Sequence, residues 1–133
     1  MLVLRLAIFI GLIISLFAVS GKISNAVASN IVAIDRGRDI VRQHCTRCHV
    51  VPDMNPYGGI GSTPSFSAMK WLEDWARRFE IFYILPPHPS LVRIEGVSEE
   101  RNASLPAFNK EIILELEDIG DILEFVKTLK TPQ

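Results

Sequence analysis

The sequence predicts an all-α domain of three main helices separated by long loops. Apolar or small residues recur at three- and four-residue spacings over Ile34–Cys45, over Ser67–Tyr83 and over Asp118–Leu129, the spacing that gathers side chains on one helix face. The intervening chain is punctuated by proline and glycine, which break helices and central strands alike. A length of 133 residues suits a single domain.

The N-terminus stands apart from that domain. Arg5 forms a short positive start, Leu6 to Val19 is apolar apart from Gly11 and Ser15, and small and polar residues follow from Ser20 to Asn30. Ser24-Asn25-Ala26 and Ala26-Val27-Ala28 both have the small-x-small form that a signal peptidase reads. Residues 1–28 are therefore expected to be a secretory signal peptide, cleaved after Ala26 or Ala28, leaving 29–133 as the working domain. The other reading is an uncleaved anchor, because Met1–Val19 approaches the ~20 apolar residues that span a bilayer. Export predicts a periplasmic or otherwise exported protein, and membrane association only if this segment is retained. Without residues 1–28 the chain has 12 basic and 15 acidic residues, a net charge of −3. Mild acidity gives no reason to expect nucleic acid as a partner.

The first helix of the domain runs over Ile34–His44. Asp35 near its start suits the helix dipole. Ile34, Gly37, Ile40, Val41 and Cys45 share one face. Gly37 costs a helix interior ~1 kcal/mol relative to alanine, so a packing reason is expected, namely the close approach of another helix.

This helix leads into Cys45-Thr46-Arg47-Cys48-His49, the C-x-x-C-H pattern of covalent haem attachment. Positions i, i+3 and i+4 lie together on a helix. Cys45 and Cys48 can reach two vinyl groups on one porphyrin edge and form thioethers, while His49 brings its imidazole under the ring to ligate the iron. The chain's two cysteines are both used here. A thioredoxin-type pair belongs at the start of a helix after a strand, whereas this pair ends a helical pattern. A structural zinc site needs four ligands, and His44 and His49 flank the cysteines too closely to supply the rest. One covalent haem c is the expected cofactor.

The stretch resembles the N-terminal helix of the small class I cytochromes c. In that family a glycine precedes the first haem cysteine by eight positions and an aromatic or aliphatic residue by four; Gly37 and Val41 stand at those offsets from Cys45. The last helix of the family crosses the first at this glycine through an aromatic residue. Here Ile119, Ile122, Leu123, Val126 and Leu129 make a stripe of period 3.6, and Phe125 is similar to the crossing aromatic. The resemblance implies a cytochrome c-like fold, three helices wrapped around one covalently bound haem.

Val50 to Phe66 contains Pro52, Pro56, Pro64, Gly58, Gly59 and Gly61. In the family such a loop wraps the proximal haem edge, and a proline carbonyl accepts the Nδ1–H of the axial histidine, fixing its tautomer. Pro64 resembles that proline; its other reading is a helix-entry proline. A middle helix is expected over Ser67–Tyr83, capped by Ser65 or Ser67, with Leu72, Trp75, Phe79 and Phe82 on one face. Trp71 or Trp75 is a candidate partner for a haem propionate. Leu85-Pro86-Pro87-His88-Pro89 holds a histidine in restricted backbone. Leu91–Val97 shows some alternation and reads as extended, and Ser98–Asn109 as loop.

The resemblance departs at the sixth iron ligand. Where most of the family has a methionine before a proline, this chain reads Leu105-Pro106-Ala107-Phe108, and leucine cannot ligate iron. His88 is the first candidate for the distal position and Met69 the next. Met54 is too close in sequence to His49 to reach the opposite face, and an open site is the remaining alternative. With both axial positions filled, the expected function is electron transfer between redox partner proteins through weak, transient encounters, without enzymatic activity. With an open distal face it is a gas-binding or peroxide-reactive haem protein. A haem-free disulfide module is the third class.

Overall fold

The structure, a computed structural model, describes residues 26–102, 104 and 110–131. Most of the expected leader and the Leu105-Pro106 pair lie outside the described residues. The chain divides into two compact units, Met1–Val32 and Ala33–Gln133. In the first, residues 26–32 are helical and exposed. All that follows concerns the second unit. Among the described residues no helix is long and apolar enough to cross a membrane.

Helix α1 occupies 33–44 of this unit. Val41 on its inner face is fully buried, and Ile34 and Ile40 pack against the same core. Its outer face carries the pairs Arg38–Asp35 at 2.7 Å and Arg42–Asp39 at 2.6 Å. Such exposed i,i+3 pairs are worth only a few tenths of a kcal/mol.

The middle of the chain departs from the single helix expected over Ser67–Tyr83. It is broken into α2, Phe66–Met69, α3, Trp75–Glu80, and a 3₁₀ turn over Phe82–Ile84. Ser65 caps α2, its hydroxyl accepting from Ala68 N at 3.1 Å. The break has a visible cause. After Met69 the backbone tightens into i→i+3 bonds, Trp71 N to Ala68 O at 3.2 Å and Leu72 N to Met69 O at 3.0 Å. At the same point the Lys70 ammonium donates to the carbonyls of Lys127 (3.2 Å) and Leu129, satisfying acceptors that a helix C-terminus leaves free. The break places Trp71 and Leu72 on the surface, while Phe66 and Phe79 are buried.

A second 3₁₀ turn, His88–Ser90, precedes strand β1, Val92–Ile94. It pairs in parallel with β2, Ile112–Leu114, in the register Val92↔Ile112 and Ile94↔Leu114. Bonds from Ile112 N to Leu91 O (2.9 Å) and from Glu95 N to Leu114 O (2.8 Å) extend the ladder, and Arg93 lies 3.5 Å from Glu111 beside it. The architecture is thus helical with one small sheet. The apolar run Ile112-Ile113-Leu114, with two β-branched residues, was the signal for the second strand.

Helix α4, Leu116–Thr128, closes the unit. Asp118 Oδ2 accepts from Glu115 N at 2.8 Å at its start. Its buried face is Ile119, Asp121, Ile122, Phe125 and Val126. At Gly37 of α1 a Cβ would lie 1.9 Å from the Asp121 carbonyl oxygen and 2.9 Å from Ile122 N. The two backbones therefore touch where glycine removes the side chain, the reason sought for Gly37. The contact is made by the α4 backbone, with Phe125 one turn further on, buried in the same core as Val41. Arg38 lies over the Phe125 ring, 5.9 Å from its centre, and Arg36 Nε sits 2.7 Å from the buried Asp121 carboxylate.

Candidate functional site

The helical path of α1 continues through the C-x-x-C-H residues as turns. Cys45 N donates to Val41 O at 2.9 Å and His49 N to Cys45 O at 2.9 Å. The last bond is an i→i+4 turn, so Cys45, Cys48 and His49 follow a helix-like course. The two thiols are not joined to each other. Burial, with a smaller contribution from Cys48, pushes the Cys45 thiol up to about 12. Reactive redox cysteines have the reverse setting, a depressed pKa at a helix N-terminus or beside a cation. This pair lies past the C-terminal end of α1, where the helix dipole opposes a thiolate.

The loop after the motif is bound to it by backbone. Ile60 N donates to Cys48 O at 2.9 Å, and Phe66 N to Val50 O at 3.0 Å. Gly59 has φ +79°, and a Cβ there would lie 3.0 Å from Cys48 O. The strongest fastening is Asn55, which sequence reasoning missed. Its Nδ2 donates to Thr46 O (2.7 Å) and His49 O (2.9 Å), and its Oδ1 accepts from Val51 N (2.8 Å). One amide thus meets three backbone groups of the motif turn. An asparagine among prolines and glycines reads as an ordinary turn residue, so nothing in the sequence distinguished it.

This loop carries Pro64 back to the motif. His49 Nδ1 lies 2.8 Å from Pro64 O. A carbonyl can only accept, so the bond requires the proton on Nδ1 and leaves Nε2 with its lone pair. The Phe66 ring stands edge-on to His49, with centres 5.4 Å apart. Burial lowers the His49 pKa, the Pro64 bond opposes that shift, and nearby His88 adds to it. The net effect favours the neutral imidazole that metal ligation demands.

His88 is brought to the same place. Its ring is parallel to that of His49, with an interplanar angle of 5° and centres 6.0 Å apart. Its Nδ1 lies 3.0 Å from Leu85 O, the carbonyl that also accepts from His88 N at 3.0 Å. That carbonyl can only accept, so His88 too carries a proton on Nδ1. Phe82 packs edge-on against it at 5.3 Å. Met54 and Met69 lie half-buried against the apolar core. Of the two tryptophans, Trp71 is exposed, while Trp75 packs edge-on to Phe79 under the Lys70 ammonium. Among the described residues no group of three or more His, Cys, Asp or Glu is arranged to hold a bare metal ion.

The donor set fits a haem held at one edge by two cysteines and ligated by His49. A c-type attachment needs two thiols one helical turn apart, an adjacent imidazole with a free Nε2, and a fixed tautomer. Each is present, and the Nδ1 partner is a backbone carbonyl that no side-chain substitution removes. Comparison with known protein families, curated proteins and solved structures gave no match to this chain.

Proposed function

We propose that the protein is a monohaem c-type cytochrome that carries single electrons between redox partner proteins. The observation that carries this reading is His49 within C-x-x-C-H, its Nδ1–H donated to Pro64 O at 2.8 Å. In that state Nε2 is the basic nitrogen, directed by a backbone bond rather than by a mobile side chain. The haem would be held by thioethers from Cys45 and Cys48 and by His49 on the iron, and it would supply reversible one-electron chemistry. The chain's own part is to fix the imidazole, to bury the attachment edge and to limit rearrangement as the charge changes. Asn55, Gly59 and Pro64 serve the first of these, and the apolar cluster on which Cys45 packs serves the second.

The leader expected from the sequence supports the same reading. The leader-like residues 1–28 would take the chain to a compartment where paired cysteines are normally oxidised, and thioether formation consumes both. Its encounters with donor and acceptor would be transient.

Spectroelectrochemistry of the matured protein tests the proposal. A single Nernstian one-electron wave, with ferrous haem bands that appear and vanish over repeated cycles, is the expected result. A chain that matures without haem, or whose haem bleaches in the first cycle, would refute the carrier function.

A further inference from the structure

We infer that His88 is the second axial ligand, so that the iron is held between two imidazoles, His49 and His88. The inference rests on the haem reading above and specifies the side of the site where the resemblance gave no residue.

The geometry points there in three independent ways. The first is spacing. An imidazole nitrogen binds a transition metal at about 2.0–2.1 Å, and its ring centre lies roughly one ångström further back, so two rings on opposite sides of one ion have centres about 6 Å apart. The observed separation is 6.0 Å. The two planes are parallel to within 5°, so one ion could take both rings from opposite sides. The second is protonation. Each ring spends its Nδ1–H on a backbone carbonyl, Pro64 O for His49 and Leu85 O for His88. Two histidines that merely packed together would have no need to present the same nitrogen free; a shared metal requires it of both.

The third is rigidity. Leu85 O accepts from both the backbone N–H and the ring of His88, at 3.0 Å each. Leu91 N donates to His88 O at 2.8 Å, and Ser90 Oγ to Pro87 O at 2.8 Å. Pro86, Pro87 and Pro89 restrict the backbone on either side. The Phe82 edge fixes the ring plane from one flank. A histidine exposed in a flexible loop would have none of these constraints.

The ring planes make the inference specific. Parallel axial imidazoles lift the degeneracy of the two iron d orbitals that interact with them, whereas perpendicular ones leave them nearly equal. A 5° angle therefore predicts a low-spin ferric signal with three resolved g values. Filling both axial positions also closes the iron to added ligands, which separates a carrier from a gas-binding protein.

The test uses the matured full-length chain. Expected are a rhombic low-spin electron-paramagnetic-resonance spectrum, a near-infrared charge-transfer band at the bis-imidazole position, and a ferrous spectrum unchanged by carbon monoxide. His88→Ala should turn high-spin, take up carbon monoxide within mixing, and return to low-spin on addition of free imidazole. Should His88→Ala fail to accumulate, the wild-type near-infrared band still decides. A methionine-type band, a high-spin wild type, or a low-spin His88→Ala would overturn the His88 assignment while leaving a covalently bound haem in place. A chain without covalent haem would overturn the carrier reading and the assignment together.

Discussion

Asn55 shows how a site can depend on a residue with no chemistry of its own. Its amide meets two carbonyls and one N–H within the motif turn, groups that would otherwise lack partners as α1 ends. Each such bond contributes about 0.5–1.5 kcal/mol net, and leaving a buried partner unmet costs more. Asn55→Ala should lower the unfolding free energy by about 2–3 kcal/mol, read as a lower urea midpoint at unchanged slope. Asn55→Asp should not restore it. The carboxylate can still accept from Val51 N but cannot donate to the Thr46 and His49 carbonyls, and it sets negative charge against them. A midpoint within about 0.5 kcal/mol of wild type for Asn55→Ala would contradict this role. At this scale the sequence was legible where residue type and spacing together form a motif. The C-x-x-C-H residues stood out as a motif, and the contact of His49 with Pro64, expected from the resemblance, is present at 2.8 Å. Asn55 did not stand out, because the three backbone groups it meets come together only once the chain has turned.

At the scale of elements, two glycines give a paired prediction. At Gly37 an added Cβ would collide with the α4 backbone at 1.9 Å, whereas at Gly120 it would meet nothing within 4 Å. Gly37→Ala must push α1 and α4 apart and lose contacts around Val41 and Phe125; overpacking of this kind costs about 1–3 kcal/mol and at times more. Gly120→Ala relieves the entropy cost of glycine inside a helix and should stabilise by about 0.5–1 kcal/mol. Thermal melts of the two variants should therefore move in opposite directions. Equal shifts would show that the helices are not in backbone contact at Gly37. The helical periods of α1 and α4 were plain from spacing, since each presents one apolar stripe. The middle segment was harder. Leu72, Trp75, Phe79 and Phe82 keep a helical spacing, but periodicity cannot show that Lys70 reaches the C-terminal carbonyls of α4 and that the backbone tightens there. The parallel pairing of β1 with β2 was hidden for a related reason, as the two three-residue strands lie 20 positions apart in register.

At the scale of the whole unit, the chain brings two distant segments to one point. The loop of residues 50–65 folds back to set His49 through Pro64, and the proline-rich turn at residues 85–89 sets His88 opposite a parallel ring. The apolar core behind them runs from Val41 and Val51 through Phe66 and Phe79 to Ile94, Ile122 and Val126. Helices, sheet and loops thus serve one arrangement, two parallel imidazoles and a pair of half-buried thiols. The proposed function requires that those thiols carry a haem. It is tested most directly by the intact mass of the matured chain under denaturing conditions, alongside Cys45→Ser and Cys48→Ser. One haem should stay on the wild type through denaturation, with neither cysteine alkylatable, and no haem should be retained when both cysteines are replaced. A wild-type chain that shows only polypeptide mass, with two cysteines free or joined as a disulfide, would contradict it.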